Sequence, residues 1–112
     1  MTLKDGTKVF SINGNYVRDK YHKVFLKDEF HDTFVLGGHD LFYSFIPKDE
    51  IWVDDMFNNF DDQLAIICHE ATEHALMKYK KMDYDDAHKI ANDAEAKTRE
   101  RFKKARENSL SF

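Results

Sequence analysis

Hydrophobic positions change their spacing near residue 55. Before that point they come in short runs broken by turn-forming residues. Lys8-Val9-Phe10-Ser11-Ile12 is followed by Asn13-Gly14, and Thr33-Phe34-Val35-Leu36 by Gly37-Gly38. Leu41 to Ile46 is followed by Pro47-Lys48-Asp49, and then comes Glu50-Ile51-Trp52-Val53. Apolar and β-branched runs of this length, bounded by Gly, Pro and Asn, predict strands, with a turn at Asn13-Gly14. The stretch Tyr16 to Phe30 fits either an irregular strand or a short helix. Beyond residue 55 there is no Gly and no Pro, and the apolar positions take up helical spacing.

Two helices are expected there. The first starts at Asp61 or Asp62, whose carboxylates suit an N-cap and first turn, and runs to about Lys81. The second has Asp83 as N-cap, with Asp86 three residues on approximating a capping box. Its stripe Ala87, Ala91, Ala94, Thr98, Phe102, Ala105 is small enough to dock closely, most simply on the first helix. The expected fold is therefore α+β: a small, mostly antiparallel sheet of three or four strands followed by two packed antiparallel helices. At 112 residues the chain is expected to form a single domain, β-rich over 1–55, helical over 56–107, with a short tail at 108–112.

Composition narrows the class. Aromatic residues at 14%, within a hydrophobic share of 42%, exclude an intrinsically disordered chain. No apolar run approaches the roughly 18 residues of a membrane helix, and Met1 to Gly6 lacks an apolar signal core. The one cysteine, Cys68, cannot form an intrachain disulfide, which fits a reducing compartment. The expectation is a cytoplasmic protein with no membrane contact. A net charge of −4 argues against generic nucleic-acid binding. Charge is nonetheless segregated. Lys48 to Asp62 holds six acids and one base, and Lys97 to Arg106 six bases and one acid. The basic stretch reads as a solvated helix end complementing the dipole, although it keeps nucleic-acid contact open.

Chemistry concentrates in the first helix. Leu64, Ile67, Cys68, Ala71 and Ala75 form one apolar face. The opposite side carries Ala65 and Ile66 one turn before, and Leu76 and Met77 one turn after, a cluster of His69, Glu70, Glu73 and His74. A polar island enclosed by aliphatics is costly unless charge or metal satisfies it. His69 and Glu73 are i and i+4, as are Glu70 and His74, so each pair shares a face. A helix offering His and a carboxylate at that spacing holds zinc through both, with Glu70 beside the metal to take a proton from the attacking water. The alternative is that the two pairs simply salt-bridge at a helix surface. A third ligand must come from elsewhere: His88 or Glu95, seven residues apart on one side of the second helix, reach the island if the helices pack antiparallel. His39, after Gly37-Gly38, is a fourth contact, a substrate group or a plain turn histidine, and His74 is a further candidate. Cys68 lies on the apolar face as an inert thiol, and His22 and His31 carry no signal.

The string Glu50-Ile51-Trp52-Val53-Asp54-Asp55, a short connection, then Leu64-x-x-Ile67-x-His69-Glu70-x-x-Glu73-x-x-Leu76-Met77 resembles the core of a minimal zincin of the gluzincin-like metallopeptidases, with Glu73 where most zincins carry His. The wider pattern Gly37-Gly38-His39, Ile46-Pro47-x-x-Glu50-Ile51-Trp52, His69-Glu70-x-x-Glu73 and Tyr84-Asp85-x-Ala87-His88 is similar to small uncharacterised phage and bacterial proteins with no assigned activity. The metallopeptidase resemblance implies His69 and Glu73 as zinc ligands, Glu70 as general base, and His88 or Glu95 as third ligand. It also implies an exposed edge strand at Glu50 to Val53 that aligns a peptide or protein substrate by β-addition. Asp49, Glu50, Asp54 and Asp55 would there attract basic peptide segments. The first expectation is a zinc-dependent hydrolase. The alternatives are a non-catalytic domain stapled by zinc and a metal-free interaction protein using residues 49–62 or the basic helix end.

Overall fold

In the computed structural model, which describes residues 1–25, 36–57 and 59–110, the change of spacing near residue 55 coincides with a physical boundary. Met1–Asn58 and Asn59–Phe112 form separate units. The α+β class and the packed helix pair are as expected. The first unit contains β1 (Lys8–Ile12), α1 (Gly14–Phe25), β2 (Gly37–His39) and β3 (Glu50–Asp54). Its three-stranded sheet has the order β1-β3-β2. β1 runs parallel to β3, with Lys8 opposite Glu50, and β2 antiparallel to it, with His39 opposite Ile51. The sheet is thus mixed rather than mostly antiparallel. Parallel neighbours need a crossover of a dozen residues or more, and α1 lies in that connection.

Asn13-Gly14 begins this helix instead of making a hairpin turn. The Asn13 side chain accepts the Tyr16 N–H at 3.1 Å, the job of an N-cap. Gly14 is needed for space, because a Cβ there would land on the Asp54 carboxylate. Asp54 is buried, accepting from Arg18 Nη1 at 3.1 Å and from the Met56 N–H at 3.0 Å. Of the ambiguous stretch 16–30, the helical alternative holds as far as Phe25. The expected strand at 33–36 lies outside the described residues except for Leu36, and Gly37-Gly38 opens β2.

Leu41 to Ile46 is not a strand. Phe42 and Tyr43 N–H groups donate to the His39 carbonyl at 3.3 and 3.0 Å, and Ile46 N–H to Tyr43 at 3.1 Å, winding the segment into turns. Its apolar residues report burial instead of extension. Tyr43 and Ile46 join Val17 in the core of this unit, with Ile12, Phe42, Phe45 and Trp52 packed around them. The expected edge strand is also corrected. β3 is the middle strand, paired on both sides, so no peptide can add to Glu50–Val53. Nor is Asp54 available to attract a basic peptide, since Arg18 already occupies it.

The second unit is an antiparallel helix hairpin, α2 (Phe60–Tyr79) and α3 (Tyr84–Leu110). Asn59, not Asp61 or Asp62, caps α2, its side chain accepting the Asp61 N–H at 2.8 Å. The two aspartates lie in the first turn, where the dipole favours them. At the other end, the Lys80 and Met82 N–H groups both donate to the Leu76 carbonyl. Asp83 caps α3 as expected, accepting the Asp86 N–H at 2.9 Å. Ala87 and Ala91 are fully buried, whereas Ala105, near the far end of that stripe, is exposed. α3 extends through the expected tail as far as Leu110. Arg99 to Asp62 at 2.6 Å and Arg106 to Asp61 at 2.5 Å tie the helices together where α2 begins, so Arg99 and Arg106 of the basic stretch are ion-paired. Among the described residues, no helix is long and apolar enough to cross a membrane.

Candidate metal centre

The buried residues of α2 are Ala65, Ile66, His69, Glu70, Glu73 and His74. The polar island therefore occupies the most buried face of the helix, while Leu64, Ile67, Cys68, Ala71 and Ala75 are half-buried. Cys68 turns toward α3, where its sulfur accepts from the Thr98 hydroxyl at 3.3 Å, in keeping with an inert thiol.

His88 reaches across from α3, four residues past its N-terminus, and completes a three-residue cluster. Glu73 Oε2 is 3.3 Å from His69 Nε2 and 2.8 Å from His88 Nδ1. The two imidazole rings meet edge-on at 4.9 Å between centroids. One donor atom from each of His69, Glu73 and His88 lies within 4.8 Å of the others, which is the spread that a single ion can bridge. Glu70 Oε1 is 4.0 Å from His69 Nε2. Glu95 is on the other side of the ring, its Oε1 3.1 Å from His69 Nδ1, within ion-pair range though not aligned as a hydrogen bond. Tyr84, one turn before His88, stacks on that ring at 5.2 Å and brings its hydroxyl to 3.3 Å from Nδ1.

Electrostatics sharpen the picture. Burial pushes the Glu70 carboxyl up to about 8; the Glu73 charge adds to this, and His69 opposes it. Burial pulls His69 down, but the Glu73 hydrogen bond and the charges of Glu70, Glu73 and Glu95 outweigh it, so its pKa ends above the ordinary value. Without metal, protons held on Glu70 and His69 offset part of this concentration of negative charge. A divalent cation would do so directly, and two imidazole nitrogens with one carboxylate oxygen suit zinc. Glu70 Oε2 fits this reading, being buried with no hydrogen-bond partner beside the cluster.

Of the sequence candidates, α2 and α3 bring together His69, Glu73 and His88, with Glu70 and Glu95 alongside. His74 is buried on α2, adjacent to Glu73 in sequence. His39 belongs to the first unit, buried on β2, its Nδ1 accepting the Leu41 N–H at 3.2 Å. Tyr84 and Arg99 were not among those candidates, although Tyr84 stands in the pattern Tyr84-Asp85-x-Ala87-His88. The available signal was spacing: Tyr84 is four residues before His88, and Arg99 four after Glu95, so each shares a helix face with a candidate. Comparison with family models, with curated proteins and with solved structures found no match to this chain.

Proposed function

We propose that the protein is a zinc-dependent hydrolase of the minimal metallopeptidase type, acting on a peptide or protein. The carrying observation is the three-donor cluster: His69, Glu73 and His88 converge within 4.8 Å. Three protein ligands are the complement of catalytic zinc, since structural sites close all four positions. When bound, zinc supplies Lewis acidity, polarising a carbonyl and lowering the pKa of water. Glu70 is the base. Its position one residue from His69 puts a carboxylate beside the cluster, where it takes the proton of the attacking water and passes it to the leaving amine. His88, with a side chain 40% exposed against 9% for His69 and 3% for Glu73, is the accessible member. With β3 internal to its sheet, substrate binding does not use strand addition at Glu50–Val53.

That last observation favours a second reading, in which the same three residues hold a structural zinc that staples the helix pair. One experiment separates the two. Protein purified without a histidine tag from zinc-supplemented medium should carry one zinc per chain, and a ratio near zero rejects both. His69→Ala should abolish zinc binding. Glu70→Gln should keep zinc and fold but lose hydrolysis of a peptide library. If wild type cleaves nothing that E70Q leaves intact, the zinc is a staple.

A further inference from the structure

Glu95 entered as a rival of His88 for the third ligand position, and its surroundings argue for a different task. We infer that Glu95 is a positioning residue which fixes the ring of His69, and that Arg99 and Asp62 fix Glu95 in turn. The inference rests on the zinc reading above. Glu95 Oε1 is 3.1 Å from His69 Nδ1, whereas the nitrogen facing Glu73 is Nε2, at 3.3 Å. Glu95 thus addresses the nitrogen that faces away from the donor cluster. Its second oxygen accepts from Arg99 Nε at 3.1 Å, so both oxygens are committed. Arg99 Nη1 donates to Asp62 Oδ1 at 2.6 Å. The series His69, Glu95, Arg99, Asp62 crosses from α2 to α3 and back.

A carboxylate at Nδ1 stabilises the tautomer that carries its proton there. In the metal-free chain Nε2 donates to Glu73; a ring that gave Nε2 to zinc would carry its proton on Nδ1, and Glu95 would favour that form, with the Nε2 lone pair directed at the side where Glu73 and His88 present their donors. Glu95 has a side chain 23% exposed, but Arg99 and Asp62 are 40% and 42% exposed. Solvent screens the outer pair, so its influence should be weaker than that of Glu95.

The test uses the full-length chain, zinc as the probe, chelator competition for affinity, and proton NMR of the His69 and His88 rings. Glu95→Ala should weaken zinc binding by about 10- to 100-fold, the usual cost of losing a group that orients a ligand. Glu95→Gln, which keeps an oxygen beside Nδ1 without the charge, should lose less. Arg99→Ala should lose less again, and the E95A/R99A double variant should bind no worse than E95A alone, because Arg99 acts only through Glu95. The His69 and His88 rings, 4.9 Å apart, should show a nuclear Overhauser contact in wild type and lose it in E95A, with helical circular dichroism unchanged. The inference is overturned if E95A binds zinc as tightly as wild type, or loses more than 100-fold with no recovery in E95Q, as a direct ligand would. Full additivity of E95A and R99A also overturns it. If wild type binds no zinc, the hydrolase reading falls, and the metal-free ring still decides: loss of the His69–His88 ring contact in E95A supports the positioning role, and the same contact kept in both rejects it.

Discussion

Glu70 retains its proton to about pH 8 in the metal-free protein, chiefly because burial disfavours the carboxylate. Its ordinary value is 4.5, so between these limits the folded chain binds a proton that the unfolded chain releases. Stability should therefore fall as pH rises through that window, by at most about 1.4 kcal/mol per pH unit, and level off above it. The raised His69 acts in the same direction: its contribution is present below 6.5 and disappears as pH passes its higher folded value. Thermal melts of chelator-treated protein from pH 5 to 9 should show this decline, and E70Q should flatten most of it. Zinc binding must displace the same protons, so affinity should rise over the range in which metal-free stability drops. His88→Ala removes a proposed ligand and should cost more than the roughly 10- to 100-fold expected for a supporting residue. Lys81, just beyond α2, adopts a φ of 55°, a left-handed conformation that suits glycine. Lys81→Gly should raise stability by about 1 kcal/mol in denaturant titration.

Among the elements, α1 depends on one absent side chain. Gly14→Ala would force Cβ into the buried Asp54 carboxylate and displace the group that Arg18 and Met56 hold, at a cost of about 1–3 kcal/mol. An unchanged melting temperature would mean that Asp54 moves aside freely. The sequence was most legible where periodicity ran long. α2 and α3 repeat over several turns, and Asp83 and Asp86 announce the start of α3. The first half was harder because its apolar runs are too short to distinguish extension from burial. Leu41 to Ile46 carries strand-like residues into turns, and a glycine pair forms β2 only because β3 offers an edge to pair with. The i,i+4 spacing of His69 and Glu73 made half of the candidate site visible. That His88 falls within the donor cluster while Glu95 meets the far side of the His69 ring depends on the helix register, which spacing within one helix does not supply. Asn59 displaced Asp61 as cap because a short polar side chain one residue outside α2 satisfies the same N–H groups, leaving the aspartates to pair with Arg106 and Arg99.

At the scale of the whole chain, the two units differ in how far apart in sequence their contacts lie. The helix hairpin closes through neighbours such as Glu73 and His88, 15 residues apart. The parallel pairing of β1 with β3 sets Lys8 opposite Glu50, so it must close a loop of about 40 residues before any ladder bond forms. Closure entropy of that kind slows folding, and it implies an order of events in time. The only tryptophan, Trp52, lies on β3 with Phe45 at 5.9 Å, so its fluorescence reports the strand pairing, while far-ultraviolet dichroism is dominated by the 20- and 27-residue helices. In stopped-flow refolding the dichroism should recover ahead of the fluorescence. Recovery of both with one rate constant would mean that the slow crossover between β1 and β3 governs the helices as well.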